Sequence, residues 1–453
     1  MAFIIRLNYE KEKFNISVQV VNDYITKSYI FESQPKPTMT KFTTREKIKH
    51  LLGFPVIIAS LGYFVDIYDL LLFGIVRISS LNDLGLEADT VGTLIINYQM
   101  IGLVLGGILW GVFGDKKGRL SVLFGSIIVY SLANIACGFL PQLDFADKGM
   151  IYAWLRFIAG IGLAGELGAG ITLVSETLPK ELRALGTSIV AGFGVLGAVV
   201  AQFTVELAGS WTTAYFIGGG LGLMLLVLRI SVAESGMFQS VKEDKSISRG
   251  NFFAFFTSPK LFTKYVKCIL IGVPIWYCIG ILVFMANQFA PEMGIASIDP
   301  GKAIMWTYIS TSVSDFGSGW FSHQLQSRKK AILYMLLFTL LGVTLLLFSG
   351  PKTENMYYFY CGWIGLGCGF WAMFVTVSAE QFGTNLRSTA TTSVPNMVRG
   401  TVPIMLVGFD YFKTSHSVIN AAAIVGLVAF ALGIYATLTI SETHNRHMDF
   451  VES

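Results

Sequence analysis

Apolar runs of about twenty residues recur along the chain, separated by short polar stretches, and this rhythm outweighs every other local pattern. A hydrocarbon core is roughly 30 Å thick, so about 20 residues of helix cross it. Twelve runs qualify as candidate spans: 51–79, 91–113, 119–139, 150–175, 184–208, 211–232, 265–290, 303–323, 330–349, 356–379, 388–411 and 417–440. They predict an all-α membrane protein of twelve transmembrane helices. Two six-helix bundles, 51–232 and 265–440, are joined by a basic linker at 233–264, and 441–453 forms a polar tail.

Residues 1–50 are polar and stand outside this rhythm. The first 38 end in "QPKPT", and Met39 then opens "MTKFTTREKIKHLLGF", a basic approach to span one. Met39 is a candidate start, residues 1–38 otherwise being a loose tail or a small folded segment. The opening "MAFIIRLNYEKEKF" lacks the apolar core of a cleavable signal peptide.

Composition agrees with the spans. The chain is 53% hydrophobic and 14% charged, whereas soluble chains are roughly a quarter charged. The net charge of +4 is spread out rather than gathered in a basic patch, so no nucleic-acid partner is expected. Cys137, Cys268, Cys278, Cys361 and Cys368 lie in apolar runs at spacings that match no metal site, and read as core residues. His444 and His447 call for no metal, and "GIGLAG" (160–165) fits GxGxxG but lies inside a span, without the strand a dinucleotide site needs. No nucleophile–base set or cofactor loop appears, so neither enzyme activity nor a cofactor is expected.

Charge sets the orientation. Lys116, Lys117 and Arg119 share one loop, Lys180 and Arg183 follow span four, and Arg328, Lys329 and Lys330 follow span eight. The longest internal loop adds Lys242, Lys245, Arg249, Lys260, Lys264 and Lys267, while the opposite loops hold few cations. The positive-inside rule then puts the basic side and both termini in the cytoplasm, for a multi-pass protein of the plasma or inner membrane.

The two halves repeat. "SETLPKELRALGTS" (175–188) matches "AEQFGTNLRSTATT" (379–392), with Glu176 and Arg183 recurring 204 positions later as Glu380 and Arg387. More weakly, "GVFGDKKGR" (111–119) matches "GWFSHQLQSRKK" (319–330), 208 positions on. Such repeats are usual in transporters.

"GVFGDKKGR" resembles the loop signature of the major facilitator superfamily, with Gly111, Asp115, Gly118 and Arg119 in the expected places. The resemblance extends over about 51–450. "RFIAGIGLAGELGAGITLVSETLPKELR" is similar to span four of the metabolite:proton and phosphate:proton symporters, with Ala164-Gly165-Glu166 where they carry Gly-Gly-acid. Asp66, Tyr68 and Asp69 match their span-one acid followed by Tyr-Asp, and "SETHNRHMDFVES" their Glu-Thr tail. Span seven lacks the sugar-porter Gln-Gln and Asn pattern, span five lacks the Gly-Pro of drug antiporters, and Leu167-Gly168 replaces the phosphate branch's Tyr-Pro. The signature and the repeated Glu–Arg pairs imply a conformational switch rather than a binding role.

In this family, the resemblance implies, spans one, four, seven and ten line a central cavity. Asp66 lies about 22 Å along span one and shares a face with Asp69, while Glu166 is near the middle of span four. A charge at mid-membrane is costly and usually functional. Two readings stand: Asp66, Asp69 and Glu166 couple transport to protons, or they sit in structural ion pairs, for instance with Arg156. Arg399, between two prolines of span eleven, with Arg77 and Arg156, suits an anionic or zwitterionic substrate; Asp315 alternatively neutralises Arg399. Trp276 and Tyr277 are candidate substrate contacts. The expectation is a monomeric, proton-coupled symporter of a small metabolite, working by alternating access. An uncoupled facilitator or a non-transporting sensor is the alternative.

Overall fold

Phe54–Asp83 is one helix of 30 residues, long enough to cross a bilayer with turns to spare. Pro55 suits its first turn. Eleven further spans follow among the described residues: Thr90–Lys117, Arg119–Gly138, a fourth in two pieces (Lys148–Leu163 and Glu166–Thr177), a fifth in two (Arg183–Gly194 and Leu196–Ala208), and Trp211–Glu234. The second half begins with a helix at Pro259–Tyr277 that runs through a π-helical Cys278–Val283 into Ala286–Met293. Pro300–Leu325, Arg328–Phe348, a split tenth span (Glu354–Cys368, Trp371–Gln381), a split eleventh (Arg387–Arg399, Val402–Lys413) and Val418–Thr439 complete it. The structure is a computed structural model and describes residues 43–117, 119–144, 146–179, 182–234, 252–383, 385–444 and 452. Met39, Gly118 and most of the 233–264 linker lie outside them. A short separate helix, Thr44–Leu51, carries a capping box in which the Thr43 and Glu46 side chains each accept from the other's backbone N–H.

No strand occurs among the described residues, and ten of the spans are apolar enough to cross a membrane by length and composition alone. Span eight is less apolar because it carries Thr307, Thr311, Ser312, Asp315, Ser318 and Ser322, all buried. Thr307 and Thr311 donate their hydroxyls back to the carbonyls four residues earlier, at 2.7 and 2.9 Å, which hides them from lipid. Span eleven falls short because its first half, Arg387–Arg399, is rich in Ser and Thr and carries Asn396 and an arginine at each end.

The spans form two six-helix bundles. Span one packs on spans four, five and six, and span two on span four; in the second half span eight packs on ten and span seven on twelve. The bundles meet where span two lies along span eleven and span five along span eight. Glycines set the closest approach: a Cβ at Gly160 would meet the backbone of Gln99, and one at Gly102 the backbone of Phe157. The GxGxxG stretch therefore serves helix packing. Across the bundles, Asn396 Nδ2 donates to the Ala164 carbonyl at 2.9 Å and Ser312 Oγ to the Gly192 carbonyl at 2.6 Å.

The breaks matter more than the lengths. Spans four, five, seven, ten and eleven are each interrupted in mid-course. In span seven Pro274 removes a backbone donor and a π-helical turn follows, a combination found often at functional sites. Interrupted helices in membranes are tolerated where they line a cavity.

Candidate functional site

Several of these breaks converge on one narrow cavity. Tyr63 and Ile67 of span one, Trp276 of span seven, Tyr308 of span eight, Trp371 at the break of span ten and Arg399 at the break of span eleven line it. As traced by the centre of a water-sized sphere its space is about 20 Å³, room for about one water. The cavity is too small for a metabolite.

Arg399 is the cavity's cation and is 1% exposed. Its Nη1 donates to Asn396 Oδ1 at 3.0 Å, while Nε and Nη2 have no partner. Its guanidinium lies 5.5 Å from the Trp276 ring centre and 5.7 Å from that of Trp371, within range of cation–π attraction. The two rings pack on each other with centres 6.4 Å apart at 63°, and the guanidinium beside them keeps two unused donors of the kind that suit an anion. Asp315 forms no ion pair with Arg399: its Oδ1 accepts from the Ala372 N–H at 3.2 Å and its Oδ2 has no partner. Tyr277 points away from the cavity and donates to the Ala422 carbonyl of span twelve at 2.8 Å.

Asp66 sits one turn beyond Tyr63 on span one and is wholly buried, and neither carboxylate oxygen has a hydrogen-bond partner. Arg399, Glu166 and Asp69 are the charges that act on it. Asp69, also buried, lies beside Asn134 and Arg156. Arg156 is fully engaged: Nε donates to Gln99 Oε1 at 3.1 Å, Nη1 to Asn134 Oδ1 at 2.7 Å and Nη2 to the Asp69 carbonyl at 2.9 Å. It knits spans one to four together and does not line the cavity.

Glu166 opens the lower half of span four, where the helix dipole favours a negative charge. Its partner is Arg229, a residue sequence reading passed over. Nη1 and Nη2 reach Oε1 and Oε2 at 3.0 Å each, and Ser126 Oγ adds a bond at 3.0 Å. Both side chains are at most 2% exposed. Arg229 lies near the end of span six, where an Arg reads as a snorkelling flank; the one available signal was a lone cation in an apolar run.

Arg77 also turns inward. It donates to the Ala88 carbonyl at 3.0 Å and Asp89 Oδ1 at 3.3 Å, and across to the second bundle at the Phe284 carbonyl (3.2 Å) and Asn287 Oδ1 (2.6 Å). Burial pushes the Asp89 carboxyl up, but hydrogen bonds from Gln288, Arg77 and Asn287 hold it below the ordinary range. This group latches the two bundles at the end opposite the basic loops.

At the basic end, Gly111 packs against Thr389 of span eleven. The side chains of Asp115, Arg119 and Glu176 lie outside the described residues. Arg183 Nε donates to the Leu178 carbonyl at 3.1 Å and Arg387 Nε to the Ala379 carbonyl at 3.3 Å, so the repeated arginines reach back alike to the end of the preceding span. Glu380 pairs with Arg328 at 3.4 Å. Glu442 of the tail accepts from the Arg328, Thr443 and His444 N–H groups and from Ser327 Oγ. Burial opposes its charge, but these bonds bring the carboxyl down to about 2.

Comparison with known proteins fits this architecture. The family model described as Major Facilitator Superfamily matches residues 59–406. A Haemophilus influenzae protein named for metabolite transport is 27% identical over 88% of this chain and 98% of its own length. The niacin transporter NiaP of Acinetobacter baylyi is 32% identical over 39% of this chain and 40% of its own. The sialic acid transporter NanX of Escherichia coli is 26% identical over 75% and 82%.

Proposed function

The chain belongs to the Major Facilitator Superfamily and is a multi-pass membrane transporter of small molecules, not an enzyme; from this we propose that it moves a small organic carboxylate by proton symport with alternating access. The observation that carries the reading is Arg399, a buried cation with two unpartnered donors beside two tryptophan rings. A substrate carboxylate satisfies both donors, and a ring on the substrate packs against the edge-to-face pair of Trp276 and Trp371. The relatives named for niacin and sialic acid, both carboxylates, support the charge, and niacin also supports the ring.

Asp66 and Asp69 are the coupling carboxyls in this reading. Asp66 shares Arg399 with the substrate site. When a carboxylate takes Arg399, Asp66 loses its counter-charge and its neutral form gains, so substrate and proton enter together. Glu166 is bonded bidentately to Arg229 and serves the bundle interior rather than the cavity. Arg77 acts as the latch that closes one end, and the pairing of span two with eleven and five with eight is the seam along which 51–232 rocks against 265–440. The basic loops face the cytoplasm, the Arg77 latch faces out, and the working unit is a monomer.

Tryptophan fluorescence of the purified protein tests this reading, because Trp276 and Trp371 border the site. Nicotinate should quench it saturably and nicotinamide, which has the same ring without the charge, should not. Equal quenching by both would remove Arg399 from recognition.

A further inference from the structure

Inside the first bundle, behind the residues that line the substrate cavity, three helices turn polar or minimal faces toward one another. Span one presents Gly62, Asp66 and Asp69; span three presents Ser126, Tyr130 and Asn134; span six presents Gly218, Gly222 and Arg229. Each set follows the three-, four- or seven-residue spacing of a single helix face. The contacts place these faces against each other. A Cβ on Gly218 would strike Asp69 Oδ1, one on Gly222 would strike Ser131 Oγ and meet the Tyr130 ring at 3.0 Å, and one on Gly62 would strike the Arg229–Glu166 pair. The seam runs eleven residues along span six, about 16 Å.

Its ends are tied by arginines, although Asn134 Nδ2 and Arg229 Nε have no partner of their own. Arg156 holds Asn134 and the Asp69 carbonyl at one end, and Arg229 holds Glu166 at the other. Its middle is not. Both oxygens of Asp66 and of Asp69, the Tyr130 hydroxyl and Ser131 Oγ are buried without a hydrogen-bond partner. Buried polar atoms are very rarely left unpaired, and ordered water is the usual partner when protein supplies none. Tyr130 stands centrally: Glu166 of span four, Asp69 and Asp66 of span one and Arg229 of span six are the charged groups that face it.

We infer that this seam holds a chain of ordered waters from Asp69 past the Tyr130 hydroxyl to the Glu166–Arg229 pair, and that this chain carries the transported proton. The Tyr130 hydroxyl accepts a proton from the water on one side as it gives its own to the water on the other, and is unchanged by each transfer. At the end of the chain the proton passes to water on the basic side, past the Glu166–Arg229 pair, which stays bonded bidentately. The route rests on the proton symport proposed above and adds to it a path separate from the substrate's.

Two measurements test it. Radiolytic labelling with isotopic water marks side chains beside bound water and needs no substrate. Tyr130 should label far above Tyr68, which is equally buried but bonded to the Ala214 carbonyl, and should approach the exposed Tyr411. Labelling of Tyr130 no greater than that of Tyr68 would overturn the water chain. In proteoliposomes with labelled nicotinate and a pH dye, Tyr130→Phe should lose about tenfold of proton-driven accumulation relative to counterflow. A coupled wild type with a fully coupled Tyr130→Phe would overturn the route alone; a wild type that carries nicotinate without proton movement would overturn the coupling and the route together.

Discussion

Arg399→Lys is expected to weaken carboxylate binding by about 10- to 100-fold, the loss of one or two charge-assisted hydrogen bonds. Lysine keeps the charge but offers a point donor instead of a fork, and it stacks poorly against Trp276 and Trp371. Arg399→Ala should abolish binding at any practical concentration. The same change should raise the unfolding temperature without substrate, since it removes a 1%-exposed cation with two unpartnered donors whose burial is costly. Lost binding with gained stability identifies a group kept for its ligand. A structural role predicts the opposite sign for stability. Asp315→Ala separates the remaining reading: because Asp315 bonds the Ala372 N–H and not Arg399, its removal should leave carboxylate affinity within a few fold and should not rescue Arg399→Ala. Isothermal titration with nicotinate and thermal unfolding read both effects.

Asp66→Asn should have the second large effect. Asn resembles the protonated carboxyl in shape and cannot change charge, so uptake against a gradient should fall to the level of passive equilibration. Counterflow of labelled against unlabelled nicotinate, which needs no net proton movement, should persist. The pH dependence of uptake should flatten, because the group that exchanges a proton with each cycle is gone. Unchanged accumulation in Asp66→Asn would move coupling to another residue, with Asp69 the next to examine. Glu166→Gln should behave differently. It leaves Arg229 with one neutral acceptor in place of a bidentate carboxylate, and breaking a buried pair on one side costs about 3–5 kcal/mol, so its main readout is reduced stability.

The class of fold was legible because the spans are written directly in apolar length, and the repeat of Glu176 and Arg183 at Glu380 and Arg387 placed the two halves. Helix breaks were less legible. Pro274 and Pro395 were visible, but the break at Gly369 and Phe370 and the π-helical turn after Tyr277 depend on packing around a cavity that no local pattern records. The three charges of span one show the same limit. Spacing put Asp66 and Asp69 on one face, yet Asp66 borders the cavity region, Asp69 lies by Arg156, and Arg77 reaches the second bundle at Phe284 and Asn287. Arg77 and Arg156 drew attention as substrate cations because a buried Arg reads alike whether its acceptor is a ligand or a carbonyl. Only the hydrogen-bond partners separate them from Arg399.

Symport of a carboxylate with a proton has one direct readout. Purified protein in liposomes with an internal pH dye and external nicotinate, with no imposed gradient, should acidify the interior as nicotinate enters, and Asp66→Asn should abolish the acidification. Nicotinate entry without a change in internal pH, in otherwise tight vesicles, would contradict the account.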